Sequence, residues 1–336
     1  MQYNMKEWLD SYLKNPAKKP LPIMSFPGFQ LINHTVEELV RSGELQAECM
    51  KAIADKFDTA VSFSLMDLSV EAEAFGSKIH YFEDEVPTVV ETLITTEEEA
   101  DALQVPEVGA GRTGECVKGI KIASEIITDR PVIAGMIGPY SLAGRLLDIN
   151  EVMILCYEEP EMVETVLEKV TEFLINYAKA FKEAGANGVA MAEPVAGLLS
   201  PSLIEEFSNP YVKKIRDAVE DENFVVLYHN CGSIVPLLSQ VKDLEAKVYS
   251  IGNAIDIEDA LKALQEDSIV MGNIDPAGTL RNGTPEQIRK ETLELMERCY
   301  KYPNFAISSG CDMPPLTPME NIEAFFTAVN DFYASK

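Results

Sequence analysis

The chain is poor in positive charge, in histidine and in long apolar runs. Its 28 Lys and Arg stand against 55 Asp and Glu, a net charge of −27, and the cations form no run. A surface that tracks phosphates needs clustered positive charge, so nucleic acid is not expected as a partner. The plainest meaning of the excess acid is solubility. No stretch of about 18 uninterrupted apolar residues occurs, which argues against a membrane span. The first residues lack the basic-then-apolar pattern of a signal peptide. Six cysteines (Cys49, Cys116, Cys156, Cys231, Cys299 and Cys311) in 336 residues are too sparse for a disulfide scaffold. Reduced thiols in a cytoplasm fit better.

No Gly-x-Gly-x-x-Gly follows the first strand-like segment, which disfavours an open, doubly wound nucleotide-binding sheet. No internal repeat or low-complexity linker marks a second domain. At 46% hydrophobic residues the chain can build a large core, and its length suits one α/β barrel.

Residues 1–17 carry Trp8, Leu9, Tyr12 and Leu13 at helical spacing. Strand-like segments then recur at 21–26, 60–66, 131–138, 188–194, 225–231, 248–254, 268–274 and 305–311. Several are nearly continuous apolar runs, as in strands buried on both faces of a parallel sheet. Helical patterns fall between them at 36–56, 115–127, 161–183, 201–220, 234–241, 257–264, 285–300 and 318–333. Pro201, Pro285 and Pro318 each follow a Ser or Thr, a cap-then-proline start signal. Eight strands alternating with helices predict a (β/α)8 TIM barrel in a single domain spanning 1–336. It has an N-terminal helical extension (1–20) and an insertion after the second strand (82–114).

Barrel chemistry gathers at the carboxyl ends of the strands. Those ends read Phe26-Pro27-Gly28, Asp67, Gly138-Pro139-Tyr140, Glu193-Pro194 and His229-Asn230-Cys231-Gly232, then Gly252-Asn253, Gly272-Asn273-Ile274-Asp275 and Gly310-Cys311-Asp312. Residues two apart on a strand share a face, so His229 and Cys231 leave their strand side by side. Cys311 ends the eighth expected strand and can converge with them. One imidazole and two thiolates suit a soft divalent metal, zinc above others, and three protein ligands leave an open position as catalytic sites do. The competing reading is that these are core residues. It holds for Cys49, Cys116, Cys156 and Cys299, which lie in helical or loop segments.

Two stretches carry a resemblance: Tyr228-His229-Asn230-Cys231-Gly232, and Gly310-Cys311 followed by Pro315-Leu316-Thr317-Pro318-Met319-Glu320-Asn321. They resemble the uroporphyrinogen decarboxylase superfamily, in particular its cobalamin-dependent methyltransferase branch, which includes the methylcobamide:coenzyme M methyltransferases. Ala192-Glu193-Pro194-Val195-Ala196 is similar to that family's Asp-Pro-Val-Ala segment, with Glu replacing Asp. Asp67-Leu68-Ser69 and Gly135-Met136-Ile137-Gly138-Pro139 also correspond. True decarboxylases of this superfamily hold their anionic substrate with arginines after the first strand; residues 25–32 here contain none.

The resemblance implies a zinc-dependent enzyme that moves a methyl group between a corrinoid (a methylcobamide) and a zinc-activated thiol such as coenzyme M. None of His34, His80 and His229 lies in an Asp-x-His-x-x-Gly, so the corrinoid is expected on a separate corrinoid protein. His229, Cys231 and Cys311 are then the metal ligands. Glu193 is either a fourth ligand displaced by substrate or a base bonded to His229. Asp67 is a candidate for substrate binding. Gly138, Asn253, Gly272, Asn273 and Asp275 are candidates for the corrinoid side, with turn and capping geometry as the alternative. Other directions stay open: loading of a corrinoid from a methanol, methoxyl or methylamine donor, transfer to a folate, uroporphyrinogen decarboxylation, or a non-catalytic metal-binding barrel.

Overall fold

The continuous apolar runs fold into strands whose side chains are buried on both faces. The computed structural model describes residues 3–336. Among them are nine strands: β1 (Ser62–Phe63), β2 (Ile79–His80), β3 (Thr88–Val89), β4 (Val132–Ile137), β5 (Gly188–Ala192), β6 (Val225–Asn230), β7 (Val248–Ile251), β8 (Ile269–Ile274) and β9 (Phe305–Ser309). Seven form one curled sheet in the order β1-β4-β5-β6-β7-β8-β9, and every pairing in it is parallel. Helices separate successive strands, so the architecture is the expected α/β barrel.

The expected first strand, 21–26, takes another form. Its backbone lies between β9 and β1, where Leu21 N donates to Ile307 O at 2.9 Å and Ala60 N donates to Pro20 O at 2.9 Å. Pro20 and Pro22 have no N–H to give, so a regular ladder cannot form. Serine hydroxyls take over the pairing. Ser308 Oγ donates to Leu21 O at 2.8 Å, and Ser309 Oγ accepts from Ile23 N at 3.2 Å. Seven regular strands and one irregular stave therefore make the ring.

Inside the ring, Phe63, Ile133, Leu227, Val248, Ile269 and Met271 form a core closed from below by the helix Met5–Lys14. That helix starts at Asn4, whose side chain accepts from Glu7 N, and buries Met5 and Tyr12. A second core packs the outer helices on the sheet. Among the described residues no helix is long and apolar enough to cross a membrane.

Some expected helices divide. The 36–56 stretch is two helices, Val36–Val40 and Gly43–Lys56, because Ser42 caps the second by accepting from Leu45 N. The 201–220 stretch breaks at Ser208, between Pro201–Phe207 and Asn209–Val219. Among the helices not foreseen are Pro139–Leu147 and Ile149–Glu158, which are separated by Asp148 at φ 76°. Residues 79–112 hold the antiparallel β2–β3 hairpin and the helix Glu97–Ala102. This segment ties down elements at the carboxyl end of the sheet. Val36 N donates to Glu83 O at 2.7 Å, and both Leu93 N and Ile94 N donate to Leu146 O. Arg281, just after β8, pairs with Glu85 at 2.7 Å.

Candidate metal centre

β6 carries Val225-Val226-Leu227-Tyr228 into the core and delivers His229 at its end, where the residue is 2% exposed. Register opposite β7 places Ser250 beside it, and His229 Nδ1 lies 2.9 Å from Ser250 Oγ. That leaves Nε2 pointing to Cys311 Sγ at 3.5 Å. One ligand atom from each of His229, Cys231 and Cys311 falls within 4.8 Å of the others. A tetrahedral ion with bonds of about 2.1 Å to nitrogen and 2.3 Å to sulfur has an N–S edge of roughly 3.6 Å, so the spacing fits zinc as well as the donor set does. The neighbouring Cys311 draws Cys231 well below the ordinary thiol range, helped by His229, and the same contact raises Cys311. A cation would take both sulfurs as thiolates.

Glu193 is not in this group. Its backbone N donates to His229 O at 2.9 Å, but the carboxylate turns away to the start of the helix Pro139–Leu147. Oε1 accepts from Tyr140 N at 2.7 Å, and Oε2 accepts from Ser141 N at 2.8 Å and from the Ser141 hydroxyl. Both oxygens are thus committed to a helix N-terminus, where a carboxylate is favoured by free N–H groups and the dipole. Burial nevertheless pushes the group up to about 7. Neither place expected of it, on the metal or on His229, is where its carboxylate lies.

Most of the remaining candidates are engaged within the chain itself. Asp67 is buried against Arg112 and accepts from Ser69 N at 3.0 Å, so its charge is already paired. Asn273 Nδ2 donates to Gly252 O and Ile255 O, both at 2.9 Å, pinning the loop after β7. Asp275 caps the turn Pro276–Arg281, accepting from Ala277 N and Gly278 N. Asn253 is exposed beside Gly310. The glycines make room for protein rather than for a planar ligand. A Cβ on Gly138 would sit 2.5 Å from Glu193 Cδ, and one on Gly272 would sit 2.6 Å from Ile251 O.

Two supporting residues escaped the sequence reading. Ser250 is the one small polar residue in the buried run Val248-Tyr249-Ser250-Ile251, a signal that was available. Asp312 follows Cys311 and accepts from Ser25 N at 3.1 Å and from the Ser25 hydroxyl, tying the Cys311 loop to the irregular stave. Only the fold brings those two together.

The family model for Uroporphyrinogen decarboxylase (URO-D) matches residues 27–332. The chain belongs to this family. It is 28% identical over 345 residues to the Methylcobamide:CoM methyltransferase MtbA of Methanosarcina acetivorans, covering 98% of this chain and 99% of that protein. The Methylcobamide:CoM methyltransferase MtaA of Methanosarcina barkeri is 30% identical over 272 residues, 80% of this chain and 78% of its own. A solved methyltransferase from Methanosarcina mazei superposes with a TM-score of 0.85 at 25% identity, covering 99% of this chain and 100% of its own.

Proposed function

We propose that this chain is a methyltransferase that moves a methyl group from a corrinoid, carried on a separate protein, to a thiol bound beside His229, Cys231 and Cys311. One observation carries the reading: three soft donor atoms within 4.8 Å at the carboxyl end of a barrel. Similarity to methylcobamide:CoM methyltransferases over nearly the whole chain supports the reaction class. A zinc ion held by the three residues supplies Lewis acidity that keeps a substrate thiol as its thiolate at neutral pH.

The chain's own groups set up that chemistry. Ser250 fixes the His229 ring so that Nε2 faces the two sulfurs. Cys231 and Cys311 bring two negative charges, which keep the bound sulfur electron-rich and nucleophilic. Three protein ligands leave the substrate a position of its own. With zinc held there, a substrate thiol would release its proton to solvent on binding. Its sulfur then bonds to the methyl carbon as the carbon–cobalt bond breaks, and that bond's electron pair stays on cobalt, taking it from Co(III) to Co(I). Glu193 acts indirectly, by anchoring the helix that begins beside β4. The six free thiols suit a reducing cytoplasm, where we place the reaction.

The test pairs metal analysis with transfer from free methylcobalamin to a small thiol such as coenzyme M or 2-mercaptoethanol. The expected result is about one zinc per chain, methyl transfer, and loss of both in Cys311→Ala. Retention of metal and activity in Cys311→Ala would sink the site. Uroporphyrinogen decarboxylation by metal-free protein would overturn the reaction class.

A further inference from the structure

The metal centre opens onto a surface that is unusual in two ways. Large apolar side chains stand exposed in the segments that follow the strands at this end of the barrel: Leu198 at 58%, Val235 at 46%, Ile154 at 47% and Tyr157 at 71%. All four follow carboxyl ends of strands, Ile154 and Tyr157 after β4, Leu198 after β5 and Val235 after β6. The patch begins at the metal loop itself. Gly197, next to Leu198, packs on Gly232, next to Cys231, with a Cβ built on Gly197 lying 3.3 Å from the Gly232 backbone. The turn Val195–Leu198 in turn packs on Pro139–Leu147, and Val195 and Val152 both lie near Gly144, which links Leu198 to the helix Ile149–Glu158. Exposed apolar residues carried by segments that pack on one another mark an interaction site more often than scattered ones do.

The second peculiarity is charge. Residues 79–111 contain nine carboxylates and no Lys or Arg; residues 148–164 contain six and again none. The two segments are neighbours, because Leu93 N and Ile94 N bond to Leu146 O. The apolar patch therefore carries an acidic border on its β4 side. Such a border repels a second copy of this chain, which would bring acid against acid, and attracts a partner whose contact face is basic with an apolar centre.

We propose that Leu198, Val235, Ile154 and Tyr157, bordered by these acidic segments, form the docking surface for the protein that carries the corrinoid. The inference rests on the methyl transfer proposed above. His229 is buried, so a methyl group bound to a carrier protein reaches the thiol only when the carrier seats on this end of the barrel. Apolar contact at the centre supplies affinity, and the acidic border steers the encounter.

The experiment compares two donors, free methylcobalamin and a methylated corrinoid protein, for wild type and for Tyr157→Ala/Ile154→Ser. With the carrier, the variant's KM is expected to rise at least 10-fold. With free methylcobalamin its rate stays within 2-fold of wild type, which also shows that the variant is folded. Raising salt from 50 to 500 mM should raise the wild-type KM for the carrier several-fold and leave free methylcobalamin unaffected. An unchanged KM for the carrier, or a loss shared equally by both donors, overturns the docking surface. So does light scattering that shows wild type as a dimer which the variant dissociates. Absence of transfer from free methylcobalamin in wild type is a different failure, that of the proposed reaction.

Discussion

At His229 a single hydroxyl decides which ring nitrogen faces the sulfurs. With Nδ1 at 2.9 Å from Ser250 Oγ, a ring whose Nε2 binds a metal keeps its one proton on Nδ1 and donates it to that hydroxyl. Ser250→Ala removes that restraint without touching a ligand. Zinc affinity, measured by competition with a chelator, is expected to fall roughly 10- to 100-fold while the melting temperature changes little. An unchanged affinity would show that packing alone orients the ring. Glu71 makes a different residue-scale case. It is 1% exposed; its Oε1 accepts from Ile137 N, whereas Oε2 has no partner in the protein. Burial pushes its carboxyl up to about 7 from an ordinary 4.5. Between those values the folded state holds a proton that the unfolded state has released, so stability falls as pH rises from about 4.5 to 7 and levels off above. Glu71→Gln deletes this contribution. Denaturant titrations across that range should show a shallower slope in the variant, the difference being on the order of 1–3 kcal/mol. Identical slopes would mean that Glu71 stays ionised in the fold.

At the scale of elements, the helix Pro139–Leu147 and the end of β5 form one unit, joined by Glu193. Gly138-Pro139-Tyr140 read as a strand end, and Ser141 and Tyr140 gave no hint that a carboxylate from another strand would cap a helix there. For the same reason Glu193 read as a fourth ligand or a base bonded to His229: at a strand end its position pointed to the mouth, and only the fold shows its oxygens occupied. The grouping of His229 with Cys231 was legible because a strand's two-residue period is rigid, which fixes the two relative to each other. The stave at 21–25 misread as a strand because its apolar character survives while Pro22 removes a donor. Glu193→Gln separates the two roles of that residue. At pH 8 the loss of a charged cap is expected to cost about 1–2 kcal/mol. Zinc content should stay at wild-type level. A fall in bound zinc with unchanged stability would return Glu193 to the metal.

For the whole molecule, the barrel separates support from chemistry along its axis. The helix Met5–Lys14 seals the amino end over Leu21, Phe63, Val225 and Met271, while His229, Cys231 and Cys311 sit at the carboxyl end. Met5 is 1% exposed and Tyr12 8%, and the Tyr12 hydroxyl donates to Lys19 O at 2.7 Å, so the seal is anchored on both sides. Burying two such side chains contributes about 1.5–3 kcal/mol each. A chain starting at Ala17 loses this and exposes the inner core to water. Its melting temperature is expected to drop on the order of 10 °C. The metal ligands are untouched, and the sheet that holds them is tied at the carboxyl end by the hydroxyls of Ser308 and Ser309 and by the Ser25–Asp312 contact. Zinc stoichiometry at 10 °C should therefore remain near one per chain. Calorimetry and metal analysis on the same preparation decide the matter. If zinc is lost in step with stability, the two ends of the barrel are coupled and the amino-terminal helix belongs to the site's support.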